Sequence, residues 1–198
     1  MRGRFIALEG GEGSGKSTQA KLLATALDAV ATFEPGDTSL GTAIRAVLLD
    51  PATGALEDRA EALLMAADRA QHVAQVIRPA LDAGRHVVCD RYTASSIAYQ
   101  GYGRGLAPER VAELSAWATG GLVPDLTVLL DVSAEVAASR LSTTPDRFEG
   151  AGEHFHRRVV EGYRVLAADP TWVVVDGSGT IDEVAVAVRA AVRDRLEL

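Results

Sequence analysis

A glycine-rich turn between a short apolar run and a helix constrains this chain more than any other feature of its sequence. The turn, Gly10-Gly11-Glu12-Gly13-Ser14-Gly15-Lys16-Ser17, fits the pattern G-x-x-x-x-G-K-[S/T]. It follows the apolar run Phe5–Leu8 and begins the helix-period stretch Lys16–Leu27, which is the context in which such a loop cradles phosphates. The glycines let backbone N–H groups point inward at a triphosphate, and the helix N-terminus adds positive potential. We therefore predict a phosphate site formed by Gly10, Gly11, Glu12, Gly13, Ser14, Gly15, Lys16, Ser17 and Thr18.

The composition is that of an ordinary globular protein and excludes several classes. Hydrophobic residues make up 47% of the 198 residues and charged residues 24%, which suits one domain with a full core. The excess of 27 acidic over 20 basic residues argues against non-specific nucleic-acid binding. No apolar run approaches the roughly 18 residues of a membrane span. The single cysteine, Cys89, excludes an internal disulfide. We expect a cytoplasmic protein that binds neither nucleic acid nor membrane.

Apolar runs alternate with helical patterns along the chain. Strands are predicted at Phe5–Leu8, Val30–Phe33, His86–Cys89, Leu126–Leu130 and Trp172–Val175, and helices at Lys16–Leu27, Leu40–Leu49, Leu56–Ala83 with a kink at Pro79, Pro108–Ala118, Ser133–Leu141, Glu153–Ala168 and Ile181–Leu196. This alternation is typical of a parallel sheet that is covered on both faces and binds ligands at the carboxyl ends of its strands. We predict a single three-layer α/β domain over residues 1–198, with a five-stranded parallel sheet flanked by helices. A loop-like stretch at about residues 142–153 is predicted to be a short lid.

The remaining sequence narrows the class of phosphate-binding protein. A GTPase needs an N-K-x-D motif to recognise guanine, and no lysine follows Lys21. A motor or large ATPase would usually be longer. A small α/β chain with a phosphate loop and a lid therefore indicates transfer of a γ-phosphoryl group to a second small substrate.

Further motifs follow the phosphate loop in a fixed order. They are Glu34-Pro35-Gly36, the helical stretch Glu61–His72, Asp90-Arg91-Tyr92, Ser95-Ser96, Ala98-Tyr99-Gln100-Gly101, Gly103-Arg104-Gly105 and Asp146-Arg147-Phe148-Glu149. Together these motifs resemble the thymidylate kinase (dTMP kinase) family of P-loop nucleoside monophosphate kinases over nearly the whole chain. The resemblance implies the P-loop kinase fold and an ATP-dependent phosphotransferase with Mg²⁺ as cofactor. It also implies that dTMP is converted to dTDP in dTTP biosynthesis, and that two copies form a homodimer.

The acceptor implied by this resemblance carries a phosphate that is mostly dianionic at pH 7, because its second pKa is about 6. Such an oxyanion needs no general base, so cations and a metal should perform the chemistry. Lys16 would hold the outer phosphates of ATP, and Arg91 would bridge donor and acceptor phosphates. Arg147 would bring positive charge from the lid, and Glu12 would complete the catalytic set. A surface ion pair is the alternative role for Arg91.

Further residues are assigned to the metal, to the adenine of ATP and to the acceptor phosphate. The Ser17 hydroxyl is placed for Mg²⁺, and Asp90 would reach the metal through water or would only orient Arg91. Arg140 is assigned to ATP, where its planar guanidinium would stack on adenine. Arg45 is assigned to the acceptor phosphate. Solvated helix positions are the alternatives for Arg140 and Arg45.

The resemblance also implies a dTMP site. Arg69 would contact a thymine carbonyl, and Ser96 would form a hydrogen bond with the ring N3–H. Tyr99 would pack on the deoxyribose and exclude a 2′-hydroxyl, unless it is a core tyrosine. Glu12 would bind the 3′-hydroxyl. The complete predicted set is Glu12, Glu34, Pro35, Arg45, Met65, Arg69, Arg91, Ser96, Tyr99 and Gln100.

Two positions depart from the family pattern and keep other functions open. Phe33 stands where the family often has arginine, and Met65 stands where a phenylalanine usually stacks on thymine. One alternative is a kinase of the same fold for another (deoxy)nucleotide or for a nucleoside, with Glu9 or Glu34 as the base. The other is a catalytically weak nucleotide-binding regulator, which only the arginine-poor lid stretch Ser142-Thr143-Thr144-Pro145 supports.

Two further expectations concern packing. Trp117 and Trp172 are predicted to be packing residues. The apolar residues Ala66, Ala70 and Val73 of the third helix are a candidate dimer face.

Overall fold

A computed structural model describes residues 2–140 and 145–197. Its five strands form one parallel sheet in the order β2-β3-β1-β4-β5. The strands are β1 Phe5–Glu9, β2 Val30–Phe33, β3 Val87–Asp90, β4 Leu126–Asp131 and β5 Trp172–Asp176. The predicted five-stranded parallel sheet is therefore confirmed, and no strand end lies more than one residue from its predicted position.

Helices connect the strands and cover the sheet. They are α1 Lys16–Leu27, α2 Ser39–Leu49, α3 Asp58–His72, α4 Arg78–Asp82, α5 Thr93–Ser96, α6 Pro108–Thr119, α7 Ala134–Arg140, α8 Glu153–Leu166 and α9 Ile181–Leu196, with π-helical segments at Val73–Ile77 and Ile97–Gly103 and 3₁₀ turns at Pro51–Thr53 and Glu149–Ala151. Within the described ranges, none of these helices combines the length and the apolar character that crossing a membrane requires.

The central strand β1 is buried on both faces and so creates a three-layer structure. Ile6 and Leu8 pack with buried side chains of α1 and α9. Phe5 and Ala7 point to the opposite face, because alternate residues of a strand do so, and they pack in a cluster with Ile77. The predicted layering is therefore present.

Acidic residues mark the carboxyl edge of the sheet. Glu9, Asp90, Asp131 and Asp176 end four of the strands, and Glu34 follows the fifth, β2. Because all strands are parallel, these residues lie along one edge, which is where open α/β sheets bind ligands. The fold thus places the motifs from distant parts of the sequence side by side.

The single long helix predicted over Leu56–Ala83 is divided by the π-helical segment Val73–Ile77. In that segment the N–H of Arg78 donates to the carbonyl of Val73, five residues back. Pro79 follows in the first turn of α4. Proline cannot donate the usual helical hydrogen bond, and its ring needs space from the preceding turn. The distortion therefore precedes Pro79 instead of lying at it.

The helical segment between β3 and α6 has no counterpart in the sequence prediction. It consists of α5 and the π-helical residues Ile97–Gly103. Gly101 and Gly103 weaken the intrinsic helical tendency of this stretch. A Cβ at Gly103 would lie 2.6 Å from the ring of Phe155 on α8. Close packing against α8, not local propensity, therefore accounts for the segment.

The structure corrects two expectations about packing. Trp117 is 82% exposed and is not a packing residue, whereas Trp172 is partly buried against the core. Ala66 and Val73 are buried within the chain itself, so they are not available to a second copy. The large apolar side chain exposed on α3 is Leu63, which is 58% exposed.

Helix α9 offers a matched test of this core. Val192 is fully buried, whereas Val186 on the same helix is 58% exposed. We expect Val192→Ala to lower the free energy of unfolding by about 2 kcal/mol, because two buried methyl groups are lost and a cavity remains. Val186→Ala should change it by less than about 0.5 kcal/mol. Denaturant titration of both variants beside the parent protein measures these effects, and equal losses would contradict the packing of α9.

Candidate active site

The phosphate loop connects the end of β1 to the start of α1 and needs glycine at Gly10, Gly13 and Gly15, whose φ values are all positive. Gly13 has a φ of 71°, and a Cβ there would lie 2.5 Å from the carbonyl oxygen of Ala137. Gly15 precedes α1 with a φ of 90°. These are left-handed conformations that glycine adopts without strain. The first turn of α1 lies entirely within the described residues, and no side chain caps it. Its N–H groups are therefore open to an anion.

The ammonium group of Lys16 is folded into this loop. It donates to the carbonyl of Gly11 at 2.7 Å and to Oγ of Ser14 at 3.2 Å. Burial and the nearby charge of Arg91 lower the pKa of Lys16 to about 8, although neighbouring carboxylates oppose the shift. Lys16 is therefore largely protonated at pH 7, and a bound phosphate would favour the charged form further.

Ser17 and Asp90 form a pair at the start of α1 and the end of β3. The Ser17 hydroxyl donates to Oδ2 of Asp90. The other carboxylate oxygen, Oδ1, is buried and has no hydrogen-bond partner within the described parts of the chain. Oxygen ligands and bound water suit Mg²⁺. The pair therefore fits a magnesium ion that is ligated by Ser17 and reached by Asp90 through water.

Arg91 occupies the turn directly after β3. Its φ of 69° is unusual for a residue other than glycine. Its guanidinium donates to the Glu12 carboxylate at 2.5 Å, to the Gly10 carbonyl at 3.2 Å and to the Tyr99 hydroxyl at 3.1 Å. Burial would lower the pKa of Arg91, but Glu12, Tyr99, Tyr163 and Asp90 together outweigh burial and raise the pKa, so the group stays charged. This cation lies between the phosphate loop and the segment that carries Tyr99, which is not the setting of a surface ion pair.

The carboxylate of Glu12 is stabilised although it lies inside a phosphate loop. Burial would raise its pKa, but the charges of Arg91 and Lys16 outweigh that effect and lower the pKa to about 2. The Tyr99 hydroxyl also donates to it at 2.7 Å. Glu12 is therefore ionised, and its oxygens are fixed between the loop and Tyr99.

A cavity opens beside Arg91 and Glu12. All ten residues that the sequence assigns to dTMP line it, namely Glu12, Glu34, Pro35, Arg45, Met65, Arg69, Arg91, Ser96, Tyr99 and Gln100. Leu49, Ser95, Asp146 and Phe148 line it as well. Ser95, Asp146 and Phe148 belong to stretches that carry the family resemblance, which was the available signal for them. Nothing in the sequence shows that their side chains face a cavity.

A second cavity adjoins the first on the side of Lys16, Ser17 and Asp90. Four side chains line both cavities: Glu12, Glu34, Arg45 and Arg91. Arg45 donates to the carbonyl of Pro35 at 2.7 Å. A phosphate in one cavity and a phosphate in the other would therefore share two arginines.

Glu34 anchors a buried charge network behind the first cavity, which is the predicted acceptor cavity. Its Oε2 accepts from Nε of Arg69 at 2.7 Å, and its Oε1 contacts Nδ1 of His72 at 2.9 Å. Arg69 donates further to Oγ of Ser96 at 3.0 Å and to the carbonyl of Tyr92 at 3.1 Å. The guanidinium is therefore held rigidly at the cavity wall.

Three buried polar residues of α3 were not assigned to the site from the sequence. They are Glu61, Asp68 and His72, all at most 1% exposed. Burial, followed by the charge of Glu34, raises the pKa of Asp68 to about 6. Its Oδ1 accepts from the N–H of Gly36 at 3.0 Å. Polar residues on the inward face of an otherwise apolar helix were the signal that could have revealed them.

Neither carboxylate that would serve a nucleoside kinase is free to act as a base. Glu9 is fully buried and accepts from the Tyr92 N–H at 2.8 Å, the Ser95 hydroxyl at 2.7 Å and the Tyr163 hydroxyl at 2.9 Å. Burial raises the pKa of Glu9 despite these bonds. Glu34 is held by Arg69 and His72. The geometry does not favour an acceptor that must first lose a proton.

Arg140 ends α7 beside the phosphate loop. It donates to the carbonyl of Gly177 at 3.0 Å and lies 3.5 Å from the carbonyl of Gly13. The residue therefore bridges the phosphate loop and the loop after β5. This position is compatible with its predicted contact to adenine.

Arg147 lies in the predicted lid, of which residues 142–144 are outside the described residues. Its guanidinium donates to Glu61 at 2.5 Å and to the carbonyl of Leu48 at 2.7 Å. The next residue, Phe148, is buried. None of the described hydrogen bonds of Arg147 reaches the phosphate loop, so a role in charge stabilisation would require it to leave Glu61.

A parallel sheet between helices, with a glycine loop, a buried lysine and a serine–aspartate pair, defines a P-loop nucleotide-binding protein. The sequence matches the thymidylate kinase family over residues 8–188. It is 50% identical to the thymidylate kinase of Solidesulfovibrio magneticus, over 93% of this chain and 96% of that protein. It is 47% identical to that of Cutibacterium acnes over 97% of both chains, and 50% identical to that of Leifsonia xyli subsp. xyli over 98% of this chain and 96% of that protein.

The chain therefore belongs to the thymidylate kinase family, and the predicted resemblance is confirmed. It is an ATP-dependent phosphotransferase of the P-loop kinase fold.

The pKa of Lys16 leads to a pH-dependent prediction. Because Lys16 loses its proton above about pH 8 in the free protein, ATP binding at pH 8.5 should take up a proton, and the Kd for ATP should rise as the pH increases through 8 to 9. Calorimetric titration in two buffers of different ionisation enthalpy measures the uptake. Lys16→Met should abolish it, whereas Lys21→Met, which alters the only other lysine, should not. Uptake that persists in Lys16→Met would contradict the assignment.

Proposed function

We propose that this chain transfers the γ-phosphoryl group of ATP to dTMP and forms dTDP, a step of dTTP biosynthesis. One observation carries the proposal. The ten side chains expected to bind dTMP line a single cavity that adjoins the phosphate loop through Arg91 and Glu12. Thymidylate kinases that match nearly the whole chain support the same substrate. Neither a kinase for another acceptor nor a regulator is favoured.

In this proposal the phosphates meet among fixed positive charges. Lys16 and the N–H groups of the loop hold the donor phosphates, Arg91 contacts donor and acceptor, and Arg45 holds the acceptor phosphate. Mg²⁺, held by Ser17 and through water by Asp90, would neutralise charge on the donor phosphates. Rate acceleration then comes from positioning and electrostatic stabilisation, since the acceptor oxyanion needs no base. Arg140 is placed to contact the adenine side of ATP.

The base is recognised by hydrogen bonds from two sides of the cavity. The Ser96 oxygen already accepts from Arg69, so its hydroxyl proton is available for a base carbonyl. Gln100 lines the cavity, and its buried amide oxygen has no hydrogen-bond partner among the described residues, which suits the N3–H of thymine. We therefore shift the N3–H contact from Ser96 to Gln100. Met65 packs on the base with its polarisable thioether.

The sugar is recognised by Tyr99 and Glu12. Both the hydroxyl and the ring of Tyr99 are fixed, the hydroxyl by Glu12 and the ring by Phe148 and Phe155 at centroid distances of 5.8 and 5.9 Å. A ring that cannot move aside excludes a 2′-hydroxyl. Glu12, as an ionised acceptor, suits the 3′-hydroxyl.

A coupled assay of ADP release tests this function. With ATP and Mg²⁺ we expect the highest kcat/KM for dTMP among dTMP, dUMP, dCMP, dGMP, UMP, AMP and thymidine. Arg91→Lys should lower kcat on the order of 100-fold, because it removes a fixed donor at the transferring group. Arg110→Lys, at a site with an 80% exposed side chain, is the matched control and should leave kcat unchanged. Preference for another acceptor would overturn the substrate, and ATP binding without turnover of any acceptor would overturn the enzyme.

We also propose a homodimer that covers exposed apolar side chains of α3 and α6. These helices pack against each other, and Leu63 and Trp117 leave apolar surface open on them. Such surface often marks an interface.

The free and buried thiol of Cys89 is compatible with a cytoplasmic location.

Trp117→Glu should make the protein monomeric in sedimentation analysis at concentrations where the parent is a dimer. The charge would be desolvated in the interface at a cost that the contact cannot offset. Val186→Glu, on α9, is the control and should leave the dimer intact. A dimer that survives Trp117→Glu would place the interface elsewhere.

A further inference from the structure

We infer that Glu61 is the positioning residue that fixes the amide of Gln100 and thereby makes the acceptor site select a base with a ring N3–H over cytosine. The inference rests on the proposed function for the identity of the acceptor. It adds a residue that lies behind the cavity and does not itself line it.

Gln100 is fully buried, and its two amide atoms face different surroundings. Nε2 donates to Oε1 of Glu61 at 3.0 Å. Oε1 has no hydrogen-bond partner in the described ranges of the chain, and the residue lines the acceptor cavity. A buried polar atom without a partner is costly unless a ligand satisfies it. Oε1 of Gln100 can therefore accept a hydrogen bond from the bound base.

The orientation of an amide group is set by its neighbours, because its oxygen and nitrogen ends have nearly the same shape. Here the neighbour is a carboxylate. Burial would raise the pKa of Glu61, but hydrogen bonds from Arg104 and Gln100 outweigh burial and lower it. An ionised carboxylate can only accept. It therefore requires the NH₂ end of Gln100 and leaves the oxygen end for the cavity.

Glu61 cannot turn away to release Gln100. Arg104 binds both of its oxygens at 3.1 Å, and Arg147 donates to Oε2 at 2.5 Å. The two guanidinium groups lie over aromatic rings, Arg104 at 4.5 Å from the centroid of Phe155 and Arg147 at 4.9 Å from that of Phe148. Two arginines thus hold the carboxylate, and the carboxylate holds the amide.

This arrangement discriminates between bases by hydrogen-bond polarity. Thymine and uracil carry a donor at N3, which pairs with the amide oxygen of Gln100. Cytosine carries an acceptor at N3, so two acceptors would face each other. Rejection of a ligand that leaves a buried polar group unpaired is stronger than rejection by size alone.

Glu61→Gln tests the inference because a glutamine amide can donate to Gln100 as well as accept from it. Both orientations of Gln100 then become available. We expect the ratio of kcat/KM for dTMP to that for dCMP to fall by about tenfold or more. The ratio for dTMP to dUMP should stay unchanged, because both bases carry N3–H. A general loosening of the site would alter both ratios, so an unchanged dTMP/dCMP ratio or a parallel change in both would overturn the inference.

Two further variants separate Glu61's action on Gln100 from its contacts with the arginines. Arg104→Lys disturbs the same carboxylate but leaves it an acceptor, so the dTMP/dCMP ratio should remain that of the parent. Gln100→Met should abolish the discrimination, and Glu61→Gln should then have no further effect on the ratio in that background. An additive effect in the double variant would show that Glu61 acts by another route.

The ratio of the dissociation constants for dTMP and dCMP, measured without ATP, tests the same discrimination independently of turnover. If the parent protein binds both acceptors equally, the inference fails whatever the catalytic assay shows. If binding discriminates as expected but no acceptor is phosphorylated, the proposed function fails and the inference stands. Should Glu61→Gln not fold, the parent and Gln100→Met still decide the matter, since equal ratios in those two proteins would also overturn it.

Discussion

The ion pair between Arg91 and Glu12 joins the nucleotide half of this protein to the acceptor half. Arg91 lies at the end of β3 in a left-handed conformation, and Glu12 lies inside the phosphate loop that follows β1. Because β1 and β3 are adjacent and parallel, the pair forms across the carboxyl edge of the sheet. Tyr99 binds both partners. The geometry of both cavities therefore depends on one cation that is held by the protein before any phosphate arrives.

The acceptor cavity is polarised by charges that lie behind its wall. Glu34 orients Arg69 on one side, and Glu61 orients Gln100 on the other. Burying these carboxylates would be unfavourable without partners, and each has an arginine within hydrogen-bond distance. The cost of desolvation is thus offset within each network. In the proposed acceptor site these networks would hold the groups that face the base in a single orientation, and this would give selectivity to a site that carries Met65 in place of an aromatic residue.

The prediction from sequence succeeded where a residue pattern has a local physical cause. Strand ends were located within one residue because buried parallel strands form continuous apolar runs. The prediction failed for the segment Ile97–Gly103, whose helical form depends on packing against α8, and for Trp117, whose exposure no local pattern reveals. The sequence predicts a kink at Pro79, whereas the structure has a π-helical turn before it. The reason is that the proline perturbs the preceding turn of the helix.

The sequence by itself determined the phosphate loop, the order of the motifs and the set of side chains that surround the acceptor. Each depends on residue identity and spacing, which the sequence alone contains. Tertiary structure alone decided which atoms those side chains present. It paired Arg147 with Glu61, enclosed Glu9, and bound the amide nitrogen of Gln100 to Glu61. These contacts join residues that are far apart in the chain. Because an unpaired polar atom is costly when it is buried, only one arrangement of these side chains is favourable.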